Sequence, residues 1–231
     1  MINSSLDKRL LSCAGYVRAG AVFADIGTDH GYLPIFLLTE GRIRRAYLSD
    51  VNEGPLRSAK QNVADAGLSE KCEFILTDGA AALCDKGITD YAICGMGGVL
   101  ISEIIDAAEH LKDGRVRLIL QPMTRQAHLR RYLLGHGFEI LDERYSTADG
   151  KHYVTLLSEF SGVCRDIDDV TAELGSDAAH THDRVEYLSY LEAKKRTLEK
   201  TVRGKEQGNL DTVAEREVLS AIIDRIARLQ A

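Results

Sequence analysis

The chain has 231 residues, of which 45% are hydrophobic and 28% charged, enough for one domain of ordinary size plus an appendage. Its formal charge of −6 gives no global attraction to polyanions or to anionic membrane, so a nucleic-acid partner would have to be met by local basic patches. No apolar run approaches the roughly 18–20 residues that span a bilayer, and the stretch MINSSLDKRLL lacks the basic-then-apolar order of a secretion signal, so a cytoplasmic protein is expected.

Leu6, Leu10, Cys13, Ala14 and Val17 recur at helical spacing and predict an opening amphipathic helix with Lys8 and Arg9 outward. Strands are expected at 21–26, 45–50, 72–77, 91–94, 117–121, 138–145 and 152–159, with helices at 32–40, 55–66, 99–110 and 125–134; Pro55 suits a first helical turn. Strand–helix alternation implies right-handed βαβ units and a parallel sheet covered on both faces. The last two strands are joined by Ser146–Gly150 and predict an antiparallel edge hairpin. This layout is an α/β fold of the class I methyltransferase type, a Rossmann-like seven-stranded sheet, rather than that of a nicotinamide dehydrogenase. Beyond Phe160, Val185, Leu188, Leu191, Leu198 and Val202, then Leu219, Ile222, Ile226 and Leu229, lie at coiled-coil spacing. Two antiparallel helices are expected outside the sheet domain, separated by 204–209, the second capped by a Thr212/Glu215 box. The expected division is a cofactor-binding domain, 1–160, and a helical coiled-coil domain, 161–231.

In a doubly wound sheet, ligands bind beyond the carboxyl ends of the strands where strand order reverses. The first strand runs into 25-DIGTDHGY-32, whose Gly27 and Gly31 permit close backbone approach, while Asp29 stands where a dinucleotide fingerprint has its middle glycine. Asp25 and Asp29 would repel a pyrophosphate but suit an ammonium or sulfonium cation. S-adenosylmethionine carries both. Asp50, ending the second strand about 20 residues past the glycine loop, is placed to accept from ribose hydroxyls, with Val51 and Asn52 lining the adenosine and Asp78-Gly79 offering a carboxylate to the adenine amino group. His30 and Tyr32 complete the expected cofactor set; His30 is read as stacking or hydrogen-bonding within its loop. The fourth strand ends in 95-GMGG-98, a backbone-rich surface suited to a flat ligand, and the fifth in Gln121-Pro122, an amide beside the same pocket.

The motifs DIGTDHGYLP, GMGG, LILQP, LDKRL and DGKHY together resemble those of the bacterial tRNA (adenine-22-N1)-methyltransferase family, over about residues 5–160; the C-terminal helices resemble its coiled-coil extension in arrangement only. The resemblance implies methyl transfer from S-adenosylmethionine to N1 of an adenine in the tRNA D-arm. Asp29, Gly95, Met96 and Gln121 are then the candidate catalytic residues, with Gly95 also at the cofactor and Asp29 interacting with either the base or the methionine ammonium. Where members often follow LILQP with Asn, this chain has Met123, and no role is assigned to it.

For tRNA, the candidate contacts are Lys8, Arg9, Arg125, Lys194, Lys195, Arg196 and Lys200, within patches that also hold Arg42, Arg44, Arg45, Arg130, Arg131, Arg203 and Lys205. Cys13, Cys72, Cys84, Cys94 and Cys164 form no C-x-x-C pair, and His128, His136, His180 and His182 show no ligand spacing, so no metal site and no disulfide framework is expected. The cysteines read as small apolar core residues. A monomer is the working expectation. Two rival readings stay open: a methyltransferase acting on a small molecule or protein, and a non-catalytic cofactor-binding scaffold.

Overall fold

The computed structural model describes residues 6–176 and 183–231; His180, His182 and residues 1–5 of the segment read for a targeting signal lie outside them. Helix α1 (Lys8–Tyr16) opens the fold, its first turn capped by Asp7, whose carboxylate accepts from the Leu10 N–H at 2.8 Å. Seven strands follow: β1 (Ala21–Ile26), β2 (Ile43–Asp50), β3 (Cys72–Leu76), β4 (Asp90–Gly97), β5 (Arg117–Thr124), β6 (Phe138–Ala148) and β7 (Lys151–Phe160). They form one sheet in the order β3-β2-β1-β4-β5-β7-β6. All neighbours are parallel except those of β7, which pairs antiparallel with both β5 and β6.

The strand sequences explain this order. Central strands such as β1, AVFADI, are buried at nearly every position because helices cover both faces. Those helices are α2 (Tyr32–Thr39), α3 (Glu53–Asp65), α4 (Gly98–Asp106) and α5 (Gln126–Gly135). Pro34 and Pro55 fall in the first turns of α2 and α3, where the missing N–H has no intrahelical partner to lose.

The C-terminal part differs from the expectation at several points. A short helix α6 (Asp169–Leu174) precedes the two long ones, α7 (Arg184–Gln207) and α8 (Val213–Gln230). The long helices do not stand off from the sheet: Tyr187, Tyr190 and Leu191 of α7 and Val218 and Ile222 of α8 join the same core as Tyr145 of β6 and Val154 of β7. Val185, read as a seam residue, is 80% exposed, because the buried face of α7 is set by tyrosines that meet β6. Nor does the capping box form, since Thr212 makes no side-chain cap and the Glu215 carboxylate is taken by Lys205 across the α7–α8 turn. Helix α7 also runs through Gly204 to Gln207, so the interruption is shorter than the sequence suggested.

Among the described residues no helix is long and apolar enough to cross a membrane, and none forms a group of three or more His, Cys, Asp or Glu that could hold a metal. The cysteines do not all lie in the core: Cys13 is buried, Cys72 and Cys94 half-buried, Cys84 and Cys164 exposed.

Candidate active site

Strand order reverses between β1 and β4, and at the carboxyl ends of these strands lies a cleft of about 470 Å³. Its walls are the β1–α2 loop, the end of β4, helix α1 and the tip of the β6–β7 hairpin. The loop is pinned to β2 by two backbone bonds, Gly27 and Thr28 N–H to the Ser49 carbonyl at 2.8 and 2.9 Å. Gly27 and Gly31 take φ of 72° and 69°.

Asp25, 8% exposed, sits at the floor and accepts from Thr28 Oγ1 at 2.7 Å. Burial pushes its carboxyl up to about 6, against the Thr28 hydrogen bond and with help from the Asp50 charge. Asp29 is open to the cleft, 3.3 Å from His30 Nε2. His30 stacks on Tyr32 with ring centroids 5.1 Å apart, and its carbonyl accepts from Asn62 at 2.9 Å. Asp50 ends β2 with one carboxylate oxygen held by the Asn52 N–H at 2.7 Å. Beside it Val51 and Asn52 are exposed, as is Asp78; with Gly79 they occupy the ends of β2 and β3, outside the lining of the cleft itself.

The three glycines of GMGG have separate tasks. Gly95 lies in the cleft with φ 78° at a register break between β4 and β5, a bulge that turns its N–H toward Gln121 Oε1 at 3.1 Å. Gly98 instead serves packing, since a Cβ there would stand 2.5 Å from the Arg125 carbonyl oxygen. Gly97 lies against the Thr124 hydroxyl. Met96 folds its methyl over Gly27, filling the space that a side chain at 27 would need. Gln121 is fully buried; besides the Gly95 N–H, its Oε1 accepts from Arg9 Nη1 at 2.9 Å. Met123 lines the cleft. Cys94 does too, and its contact with Cys13 Sγ at 3.5 Å, together with burial, holds its thiol well above the ordinary range.

The basic residues divide by what they already hold. Arg9 points into the cleft instead of away from the protein. Arg42 and Arg44 donate to backbone carbonyls near the α1–β1 turn, and Arg45 pairs with Glu73. Arg130 is buried against Glu143, and Arg131 pairs with Asp169. Lys194 lies over the Tyr190 ring and pairs with Glu173 at 2.7 Å. Arg125, in a left-handed conformation at φ 58°, Arg196 and Lys200 remain exposed, Lys195 is half-exposed, and Lys8 reaches Glu186 at 3.1 Å. Sequence reasoning did not anticipate Tyr153, Ala148 and Asp149 as cleft residues. The DGKHY stretch marked the turn that carries them, but nothing local says that the turn overhangs β1.

A family model described as a methyltransferase domain matches residues 6–156. A crystal structure from Streptococcus pneumoniae, assigned as a candidate tRNA (m1A22) methyltransferase, superposes with a TM-score of 0.80 at 33% identity, covering 98% of this chain and 100% of that one. The chain belongs to the tRNA (adenine-22-N1)-methyltransferase family. The same Streptococcus protein in complex with S-adenosyl-L-methionine superposes equally well, TM-score 0.80 at 31% identity over 96% of this chain and 99% of that one. The Bacillus subtilis tRNA (adenine(22)-N(1))-methyltransferase is 38% identical over 155 residues, 67% of this chain; the match spans 65% of that relative's length.

Proposed function

We propose that the protein is a cytoplasmic enzyme that transfers a methyl group from S-adenosylmethionine to N1 of adenine 22 in the D-arm of tRNA. The observation that carries this reading is the division of the strand ends into two adjoining parts. Asp50, with one carboxylate oxygen left for ribose, lies beside Val51 and Asp78 at the ends of β2 and β3. Asp25 and Asp29 face a cleft that continues past them to Gly95 and the hairpin tip. The first part fits a nucleoside, the two acids fit the cationic amino-acid end, and the remaining space fits a second ligand. Similarity to proteins that carry this name or bind this cofactor supports it.

When bound, S-adenosylmethionine supplies an electrophilic methyl on a sulfonium. Adenine N1 has a free lone pair, so the protein need not remove a proton to make it a nucleophile; it has to hold N1 in line with the methyl. That edge is paired or stacked in a folded tRNA, so the base is taken out of its stack. Gly95 and Met96 form the surface on which it rests, and Gln121 fixes that surface from beneath. Asp29, open to the cleft, favours the positive charge that the base acquires on methylation. Lys8, 67% exposed beside Glu186, and Arg125, Lys195, Arg196 and Lys200 meet tRNA phosphates; Lys194, only 21% exposed between Glu173 and the Tyr190 ring, supports α7 instead.

The test is incubation with labelled S-adenosylmethionine and unmodified tRNA, followed by nuclease digestion and identification of the nucleoside. Label in N1-methyladenosine from the D-arm is the expected result. Cofactor binding with no transfer to any tRNA would overturn it in favour of another substrate or a non-catalytic scaffold.

A further inference from the structure

Lys8 and Arg9 are both expected on the outer side of α1, yet the fold treats them differently. Lys8 is two-thirds exposed, whereas the Arg9 side chain is 21% exposed and lines the cleft. Its two terminal nitrogens are used separately: Nη1 donates to Gln121 Oε1 at 2.9 Å and Nη2 pairs with Asp7 at 3.3 Å, while the guanidinium carbon lies 5.8 Å from the centre of the Tyr153 ring. Arg9 thus joins α1 to the ends of β4 and β5 and to the hairpin tip.

A buried amide can turn over, and its two ends are opposite in character. The Gln121 oxygen accepts from both Arg9 and the Gly95 N–H, whereas its nitrogen has only long contacts, 3.4 Å to the Pro122 carbonyl and 3.5 Å to Met123 Sδ. Arg9 is a pure donor, so with Arg9 in place only one orientation avoids setting donors against donors. That orientation holds Gly95 at the register break where β4 stops following β5. The electrostatics point the same way: a cation aimed at the acceptor base would oppose the positive charge that methylation creates, and Asp7 offsets that charge.

We infer that Arg9 is a positioning residue for methyl transfer, acting through the Gln121 amide on Gly95, and is not one more phosphate-binding cation. The inference rests on the methyltransferase reading. Lysine is no substitute, because one ammonium does not reproduce two nitrogens bound to two partners in a planar fork.

The experiment compares wild type with Arg9→Lys, Arg9→Gln and Lys8→Gln, measuring kcat at saturating cofactor and tRNA, the Kd for S-adenosylmethionine, and the Kd for tRNA across a salt series. For both Arg9 variants kcat is expected to fall about tenfold to a hundredfold, with the tRNA Kd, its salt slope and cofactor affinity unchanged. Lys8→Gln is expected to weaken tRNA binding and reduce the salt slope by about one. Because Arg9 variants could lose activity by misfolding, the pair Arg9→Gln and Gln121→Met is also combined. The double variant should be no slower than Gln121→Met alone, since both break one linkage. Multiplying losses in the double variant would overturn the role. So would Arg9 variants that bind tRNA weakly with a reduced salt slope, keep kcat, and are rescued by lysine. A wild-type chain that methylates no tRNA would sink the proposed function and this role together; an active wild type with either of those patterns sinks the role alone.

Discussion

Burial works against the charge on Asp25. Its carboxyl is pushed from an ordinary 3.8 up to about 6, so between about pH 4 and pH 6 the folded chain binds more protons at this site than the unfolded chain does. Stability from this group is therefore greatest below about pH 4 and is lost as the pH rises through 6, with an upper bound of ~3 kcal/mol. Asp25→Asn should remove that slope: urea midpoints at pH 4.5 and 7 should converge in the variant relative to wild type, and equal slopes would refute the assignment. The same substitution should remove the loss of S-adenosylmethionine affinity expected as wild type is acidified through pH 6, because only the ionised carboxylate attracts a cation. Gly98 makes a different prediction. Its Cβ position is blocked by the Arg125 backbone, so Gly98→Ala should cost ~1–3 kcal/mol in chemical denaturation. At this scale the turn after β1 was legible because Gly27 and Gly31 take the positive φ, 72° and 69°, that glycine accommodates most easily. The inward turn of Arg9 was not, because its partner Gln121 is 112 residues away.

Between elements, legibility followed burial. The central strands were readable because a sheet covered on both faces demands near-continuous apolar runs, and the hairpin because a Gly-containing turn separates two strands with no helix between them. The seam of α7 was legible at Leu191, Leu198 and Val202 but misread at Val185: Tyr187 and Tyr190 are amphipathic, and a search for aliphatic heptads passes over them. Glu186, on the same helix, ties three elements together. It accepts from Thr147 Oγ1 at 2.6 Å and from Lys8 at 3.1 Å, and Thr147 also meets His152 Nδ1 at 3.1 Å. Thr147 and His152 lie just behind the hairpin tip that overhangs the cleft. Glu186→Ala should accordingly leave β4 and β5 protected in hydrogen exchange while residues 146–153 exchange faster. Unchanged exchange at the tip would show that the sheet alone holds it. The carboxyl of Glu186 is held below its ordinary range chiefly by the Thr147 hydrogen bond, so acidification should loosen the tip in the same manner.

Across the whole molecule, the helical part and the sheet are joined by a buried polar cluster that no local pattern announces. Arg130 and Glu143 are each 1% exposed and paired twice, at 2.7 and 2.9 Å. Arg130 Nη1 continues to the Ala172 carbonyl at 2.8 Å, and Arg225 of α8 donates to the Gly175 carbonyl at 3.0 Å and the Tyr187 hydroxyl at 2.8 Å. Sheet, α6, α7 and α8 therefore share groups that would be left buried without their partners if any one element moved away. A buried pair of this kind contributes little net stability when intact, but removing one member is costly, ~3–5 kcal/mol, because the other charge stays behind. Glu143→Gln should lower stability by that order, whereas Arg130→Met with Glu143→Leu should recover much of it, short of the ~1–3 kcal/mol for an Ala172 carbonyl left unsatisfied. If the cluster couples the two parts as its geometry requires, urea unfolding of wild type followed by helical circular dichroism and by tyrosine fluorescence should trace one transition, and so should Glu143→Gln at lower urea. Two separated transitions in wild type would mean that the long helices fold on their own and that the tyrosines of α7 only rest on the sheet. A single transition would mean that the long helices are held rigidly to the sheet that carries the cleft.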